Sequence, residues 1–282
     1  MKIRKPYVAN AFYEGSKTAL QDQIVNCFTH KLGPGRVPDV VDGPRRVLGV
    51  VVPHAGYMYS GPVAAHSYAQ LASDGVPGSV VIMGPNHTGL GSGVSIMTKG
   101  AWETPLGVAS IDTNLSEQIR TSSSIIDEDE AAHISEHSIE VQLPFLQYLY
   151  GSQISFVPIC MMMQDLQTSQ EIARSIAKSS RDRHVVVVAS SDFTHYQPQN
   201  VAAQKDKAAI EAIVNLDTAK FNELGESGRV TMCGYGPITA LMELAKLEHN
   251  VQAKLLAYHT SGDVTNDTGA VVGYSAIRFT RD

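Results

Sequence analysis

Three apolar, β-branched runs in this chain each stop at a side chain that can titrate or bind a metal. Val47–Val52 runs into Pro53-His54, and Ser79–Met83 runs into Gly84-Pro85-Asn86-His87. Val185–Ala189 runs into Ser190-Ser191-Asp192-Phe193-Thr194-His195. Stretches such as Val50-Val51-Val52, Val80-Val81-Ile82 and Val185-Val186-Val187-Val188 leave no polar face. They suit parallel strands covered by helices on both sides rather than strands with one face in water. In such sheets ligands bind beyond the carboxyl ends of the strands. The runs therefore predict one sheet edge that carries two imidazoles, a carboxylate and a third imidazole.

The rest of the chain alternates accordingly. Helices are predicted at Lys17–His30, Pro62–Leu71, Leu115–Thr121, Ile139–Tyr150, Ser169–Ser179, Ala202–Val214, Thr218–Gly225 and Pro237–Leu247. Further strands are predicted near Val94–Met97, Val108–Ile111, Ile154–Ile159, Gln252–Tyr258 and Val271–Phe279. Pro144 must sit in the first turns of its helix or bend it. The Gly/Pro-rich stretch from Gly33 to Pro44 reads as a loop, because too little chain precedes it to bury a core. The expected architecture is an α/β three-layer sandwich with a largely parallel central sheet, one domain over residues 1–282.

Bulk properties narrow the function. The net charge of -6 and the absence of a Lys/Arg cluster argue against a nucleic-acid partner. The three cysteines, Cys27, Cys160 and Cys233, are far apart with no Cys-x-x-Cys, so a disulfide framework is not expected and a reducing compartment fits. No apolar h-region follows Met1, and no run approaches the ~20 residues of a membrane span. The expectation is a cytoplasmic protein with no membrane partner. There is no Gly-x-Ser-x-Gly elbow, Walker-type loop, His-Glu-x-x-His motif or dinucleotide fingerprint.

The strand-end residues carry the candidate chemistry. His54 and His87 lie in small-residue loops on successive runs, and neutral imidazole is the commonest metal ligand. Either could instead cap a turn. Asp192 stands three residues before His195 and could orient it by accepting its second ring N–H; an Asp there could also cap a helix. Cys233, in Cys233-Gly234-Tyr235-Gly236-Pro237, precedes a helix whose N-terminus favours a thiolate, although a free cysteine is more often a small buried hydrophobe. His137 opens the helix after Ser135-Glu136 and could move a proton. Cys160 reads as packing, and His30, His184 and His249 lie at element ends.

These motifs together resemble the Memo family. The resemblance rests on Pro53-His54-Ala55-Gly56-Tyr57 with Tyr59 and Gly61, and on Gly84-Pro85-Asn86-His87. It also rests on Ser135-Glu136-His137-Ser138 with Glu140-Val141-Gln142-Leu143-Pro144, on Ser191-Asp192-Phe193 with His195-Tyr196, and on Cys233-Gly234 with Gly236-Pro237. The family is named for an animal mediator of cell motility, and its prokaryotic members are also called AmmeMemoRadiSam system protein B. The resemblance implies a fold similar to the class III extradiol dioxygenases, which hold Fe(II) with two His and one Glu. In the Memo family the corresponding set is two His and one Cys, here His54, His87 and Cys233. It further implies pocket roles for Asp192, His195 and His137, with Asn86, Tyr59 and the Phe12-Tyr13 pair alongside.

A thiolate beside two imidazoles suits Fe(II) or copper, with Zn²⁺ also acceptable. The leading expectation is thus a metal-dependent redox protein, dioxygenase-like, in which Asp192 and His195 handle protons for a small-molecule substrate. One alternative is a binding module for a phosphotyrosine or other anionic peptide. Another is the partner subunit of a radical-SAM protein.

Overall fold

The three β-branched runs lie side by side at the centre of one sheet. The structure, a computed structural model, describes residues 2–151, 154–181, 183–248 and 250–282; His249 lies outside them. The first half of the chain forms β1 (Ile3–Arg4), α1 (Lys17–Thr29), β2 (Val47–Val52), α2 (Tyr57–Asp74), β3 (Ser79–Pro85), β4 (Val94–Ile96), β5 (Ala101–Thr104), β6 (Gly107–Ile111), α3 (Thr113–Thr121), β7 (Asp127–Glu128) and α4 (Leu143–Tyr150). The second half forms β8 (Ser155–Met161), α5 (Leu166–Ser179), β9 (Val185–Ser190), β10 (His195–Gln197), α6 (Gln199–Val214), α7 (Thr218–Glu226), α8 (Tyr235–Leu247), β11 (Val251–Thr260), α9 (Gly262–Thr265) and β12 (Val271–Arg281).

Five strands in the order β6-β8-β3-β9-β2 run parallel. Register pairs Val50 with Val188 and Val81 with Val187. Beyond β2 the sheet turns antiparallel through β12, which also pairs with β11 and β10. At the other side β5 runs antiparallel to β6.

Successive side chains on a strand point to opposite faces, and here both faces are dry. Val51, Val81, Met83, Val187 and Ala189 pack with Ile172 and Ile176 of α5 and Leu241 and Ala245 of α8. Their neighbours Val50, Val52, Val80, Ile82, Val186 and Val188 pack on the other face with Leu20 and Phe28 of α1, Tyr68 of α2 and Phe145 of α4. Each buried Val, Ile, Leu, Met or Phe among them stabilises the fold by about 1.5–3 kcal/mol. The three-layer α/β sandwich is therefore the architecture, as the polar-free runs implied.

Several boundaries differ from the sequence reading by a few residues, and two of them involve proline. Pro is at home in a first turn, yet α2 begins a turn before Pro62, at Tyr57, whose N–H donates to the Phe12 carbonyl (2.7 Å). Pro62, buried within the helix, lacks the N–H that would otherwise reach the Met58 carbonyl one turn back. The expected helix over residues 139–150 is a 3-10 turn (Glu140–Gln142) followed by α4, with Pro144 in its first turn.

The 3-10 turn carries a buried carboxylate that straps down the N-terminal segment. Glu140 pairs with Arg4 Nη1 (2.6 Å) and accepts from the backbone N–H groups of Tyr7 and Val8 and from the Tyr13 hydroxyl (2.7 Å). Arg4 also donates to the carbonyls of His133 and Glu136, and it lies 4.1 Å above the Trp102 ring. Breaking a buried pair strands a charge. Glu140→Gln is expected to cost about 3–5 kcal/mol in urea unfolding; a loss under about 1 kcal/mol, the range of exposed pairs, would show that the strap is held otherwise.

Burial, with the Arg4 charge beside it, pushes His133 down to about 4. Its value in the unfolded chain is ordinary, near 6.5. Between these values the unfolded chain binds more protons, so stability falls as pH drops, by up to about 1.4 kcal/mol per unit from this one group. His133→Gln is expected to flatten the dependence of unfolding free energy between pH 7 and pH 5 by up to one proton, and an unchanged slope would refute the assignment.

Candidate metal centre

The carboxyl ends of β2, β3 and β9 meet the start of α8. Past β2, the His54 N–H donates to Asp192 Oδ1 (2.8 Å), and Ser191 N–H donates back to the Val52 carbonyl (2.9 Å). The loops after β2 and β9 are thus laced together. Gly234 lets the α8 turn close on them: a Cβ there would lie 2.5 Å from the Ser190 carbonyl. Its N–H donates to Ser191 Oγ (2.9 Å), and Asp192 N–H donates to Cys233 Sγ (3.3 Å).

This lacing brings Cys233 Sγ to 3.1 Å from His54 Nε2. One donor atom from each of His54, His87 and Cys233 lies within 4.8 Å of the others. A tetrahedral ion with N and S ligands has edges of roughly 3.5 Å, so small adjustments enclose one. His54 is buried, Cys233 half-buried and His87 open to the cavity.

The ring orientations are set by neighbours. Glu136 is fully buried and accepts from His87 N–H (2.5 Å), His87 Nδ1 (2.9 Å) and the N–H groups of His137 and Ser138. A carboxylate with that many donors takes the Nδ1 proton and leaves His87 Nε2 with its lone pair. Burial alone would raise Glu136, but its bond to His87, that ring's charge and the Ser138 N–H outweigh burial and bring it to about 2. His137 stacks on His87, with centroids 4.5 Å apart, and meets the Phe12 ring at a tilt, 4.7 Å away. Burial brings His137 down to about 4, despite the Glu136 charge. Burial likewise lowers His54, with His137 and His87 adding to the effect.

Asp192 does not orient His195 as the sequence spacing suggested. Its carboxylate is taken by the backbone N–H groups of His54 and Ala55. His195 Nδ1 faces the Thr231 carbonyl instead (2.8 Å), and its N–H donates to Thr231 Oγ1 (2.9 Å). A carbonyl only accepts, so Nδ1 carries the proton. Burial raises Asp192 to about 6, partly offset by the His54 N–H and the His195 charge. Burial also raises the Cys233 thiol, with the Asp192 charge adding to it.

The cluster opens into a cavity of about 560 Å³. Phe12, Tyr59, His137, Asp192, His195 and Tyr274 are among the side chains that line it. Two expected pocket residues lie elsewhere. Tyr13 is buried beneath the wall, because Glu140 takes its hydroxyl. Asn86 folds its amide into its own loop, accepting from Thr88 and Gly89 N–H and donating to the Leu90 carbonyl. Glu136, Gln142, Ser190 and Thr231 were not read as site residues. Glu136 had a signal, an acid directly before His137; the others have none beyond their motifs.

A mixed α/β sheet with two imidazoles and a thiol converging at its carboxyl edge defines a protein built around a candidate metal-binding pocket. The chain belongs to the Memo family: the family model described as Memo-like protein matches residues 4–278. It is 51% identical over 280 residues to a MEMO1 family protein of Methanopyrus kandleri, covering 99% of each chain. It is 50% identical to one of Methanothermobacter thermautotrophicus, over 97% of this chain and 99% of that one. A solved structure of an uncharacterized Escherichia coli K12 protein shares the fold, with a TM-score of 0.53 at 14% identity over 82% of this chain and 99% of that one. None of the helices among the described residues is long and apolar enough to cross a membrane.

The raised thiol generates a direct expectation. Cys233 is protonated at pH 7.5 and the His54 imidazole is neutral, so a bound ion must displace the thiol proton. Zn²⁺ added to metal-free protein in weak buffer should release about one proton per ion bound, and none in Cys233→Ala. Equal release from both proteins would remove the thiol from the ligand set.

Proposed function

We propose that this Memo family chain is a metal-dependent redox protein, acting as one domain over residues 1–282. His54, His87 and Cys233 would hold one ion, Fe(II) foremost, with copper or Zn²⁺ also suited to the donor set. The observation that carries the reading is the convergence of two imidazole nitrogens and one sulfur within 4.8 Å beside an open cavity. Soft thiolate and imidazole ligands favour late first-row ions over Mg²⁺ or Ca²⁺. When bound, such an ion supplies electron transfer and Lewis acidity at the cavity floor.

The chain's own groups would supply binding and proton handling. A cavity of about 560 Å³ is within the usual range for a small molecule. Phe12, Tyr59 and Tyr274 provide flat apolar walls. His195 holds its proton at Nδ1 against Thr231, which leaves Nε2 to accept one. Asp192, raised to about 6, exchanges a proton near neutrality. His137 is neutral near pH 7, so it can donate or accept a hydrogen bond beside His87. Oxygenase-like turnover is the reaction class this supports, in a reducing, cytoplasmic setting that keeps Cys233 available.

The anionic-peptide reading draws less support, since the lining includes Asp192 and Asp267 and neither Lys nor Arg. A radical-SAM partner would share the substrate, and co-purification from a native host tests for it.

Anaerobic reconstitution with Fe(II) and elemental analysis decide the metal reading. One ion per chain is expected, with affinity at least tenfold weaker in His54→Ala and Cys233→Ala. A correctly folded chain that takes up no iron, copper or zinc would end it.

A further inference from the structure

We infer that Ser190, pinned by Gln142 and Tyr68, is the positioning residue that fixes which nitrogen of His54 faces the metal site; this deepens the metal reading above and rests on it. The argument starts from an acceptor with no ambiguity. The Pro53 carbonyl lies 3.0 Å from the Gln142 side-chain amide, so the amide nitrogen must be on that side. Gln142 Oε1 then faces the Tyr68 hydroxyl, which donates to it (2.6 Å). The same Nε2 lies 2.8 Å from Ser190 Oγ and donates to it.

Ser190 has one hydroxyl proton. The Ser138 carbonyl, 2.7 Å away, can only accept, and it takes that proton. Ser190 Oγ therefore has one lone pair left, and its remaining partner is His54 Nδ1 at 2.8 Å. His54 must donate there. The imidazole is held as the Nδ1–H tautomer, and Nε2 presents its lone pair 3.1 Å from Cys233 Sγ. The Cys233 thiol proton points at that lone pair in the metal-free chain, and an ion takes the place of the proton. Pro53, His54, Tyr68, Ser138, Gln142 and Ser190 are all buried, so water is not at hand to substitute for a lost partner among them.

The same segment serves both imidazoles. The Ser138 carbonyl holds the Ser190 proton, while the Ser138 N–H holds Glu136, which orients His87. Residues 136–142 thus set the tautomer of both histidine ligands from one short stretch.

The test is nitrogen-detected proton placement on His54 in metal-free, ¹⁵N-histidine-labelled protein, read beside Zn²⁺ affinity. Wild type should show protonated Nδ1 and bare Nε2. Ser190→Ala should populate the Nε2–H form and weaken Zn²⁺ binding about 10–100-fold. Gln142→Met removes only a donor to Ser190 Oγ and leaves its proton on the Ser138 carbonyl, so the Nδ1–H form should persist there, as it should in Ser190→Thr, which keeps the hydroxyl. If Ser190→Ala does not fold, Ser190→Cys, whose thiol is a weak acceptor, carries the comparison with wild type and should shift toward the Nε2–H form. Protonated Nε2 in the wild-type chain overturns the inference, as does an unchanged tautomer in the folded Ser190→Ala or Ser190→Cys chain. A wild-type chain with protonated Nδ1 that binds no metal would sink the proposed function and leave the tautomer assignment standing.

Discussion

At the carboxyl edge of the sheet three imidazoles each have Nδ1 engaged by a fixed partner. His54 meets Ser190, His87 meets Glu136 and His195 meets the Thr231 carbonyl. A ring tied at one nitrogen can neither rotate freely nor choose its tautomer, so the other nitrogen is aimed. The site depends on this constraint more than on any single ligand. It converts three flexible side chains into a preformed set of lone pairs around one cavity, which reduces the ordering that binding would otherwise require.

That arrangement places many polar groups where water is scarce. Glu136, Glu140, Gln142, Ser190 and Asp192 are all buried at or near the site. Unpaired, each would cost a substantial part of the protein's stability. Each instead has several partners, and three of the five groups, Glu136, Glu140 and Gln142, come from one short segment. Glu140 acts on the site at one remove: it holds the N-terminal strap, which lays Phe12 against His137 and gives the Tyr57 N–H its acceptor. Wall, ligand orientation and helix start are therefore one connected structure.

Much of this was legible in the residues. Valine runs without a polar face mark strands packed on both sides, and the sheet alternates across both faces as that requires. The candidate ligand histidines at the ends of those runs follow from the rule that strand termini, not strand interiors, are free to face a ligand. The short strands β1, β5, β7 and β10 carry no legible signal because they are two to four residues long and made by pairing rather than by their own pattern. Tyr13 and Asn86 looked like pocket residues from their neighbours, yet each found a better hydrogen-bond partner facing away from the cavity.

Sequence by itself determined the layers, the central strands, the histidines at their ends and the cysteine ahead of α8, because hydrophobic periodicity is written locally, over two to four residues. Only the tertiary structure decided that Cys233 meets His54 across 179 positions of chain, that Thr231 rather than Asp192 orients His195, and that Ser190 and Glu136 set the imidazoles. Hydrogen-bond partnership at a buried edge depends on which donors and acceptors the packed layers leave unpaired. No local pattern encodes that remainder, which exists only once the sheet and its helices have closed.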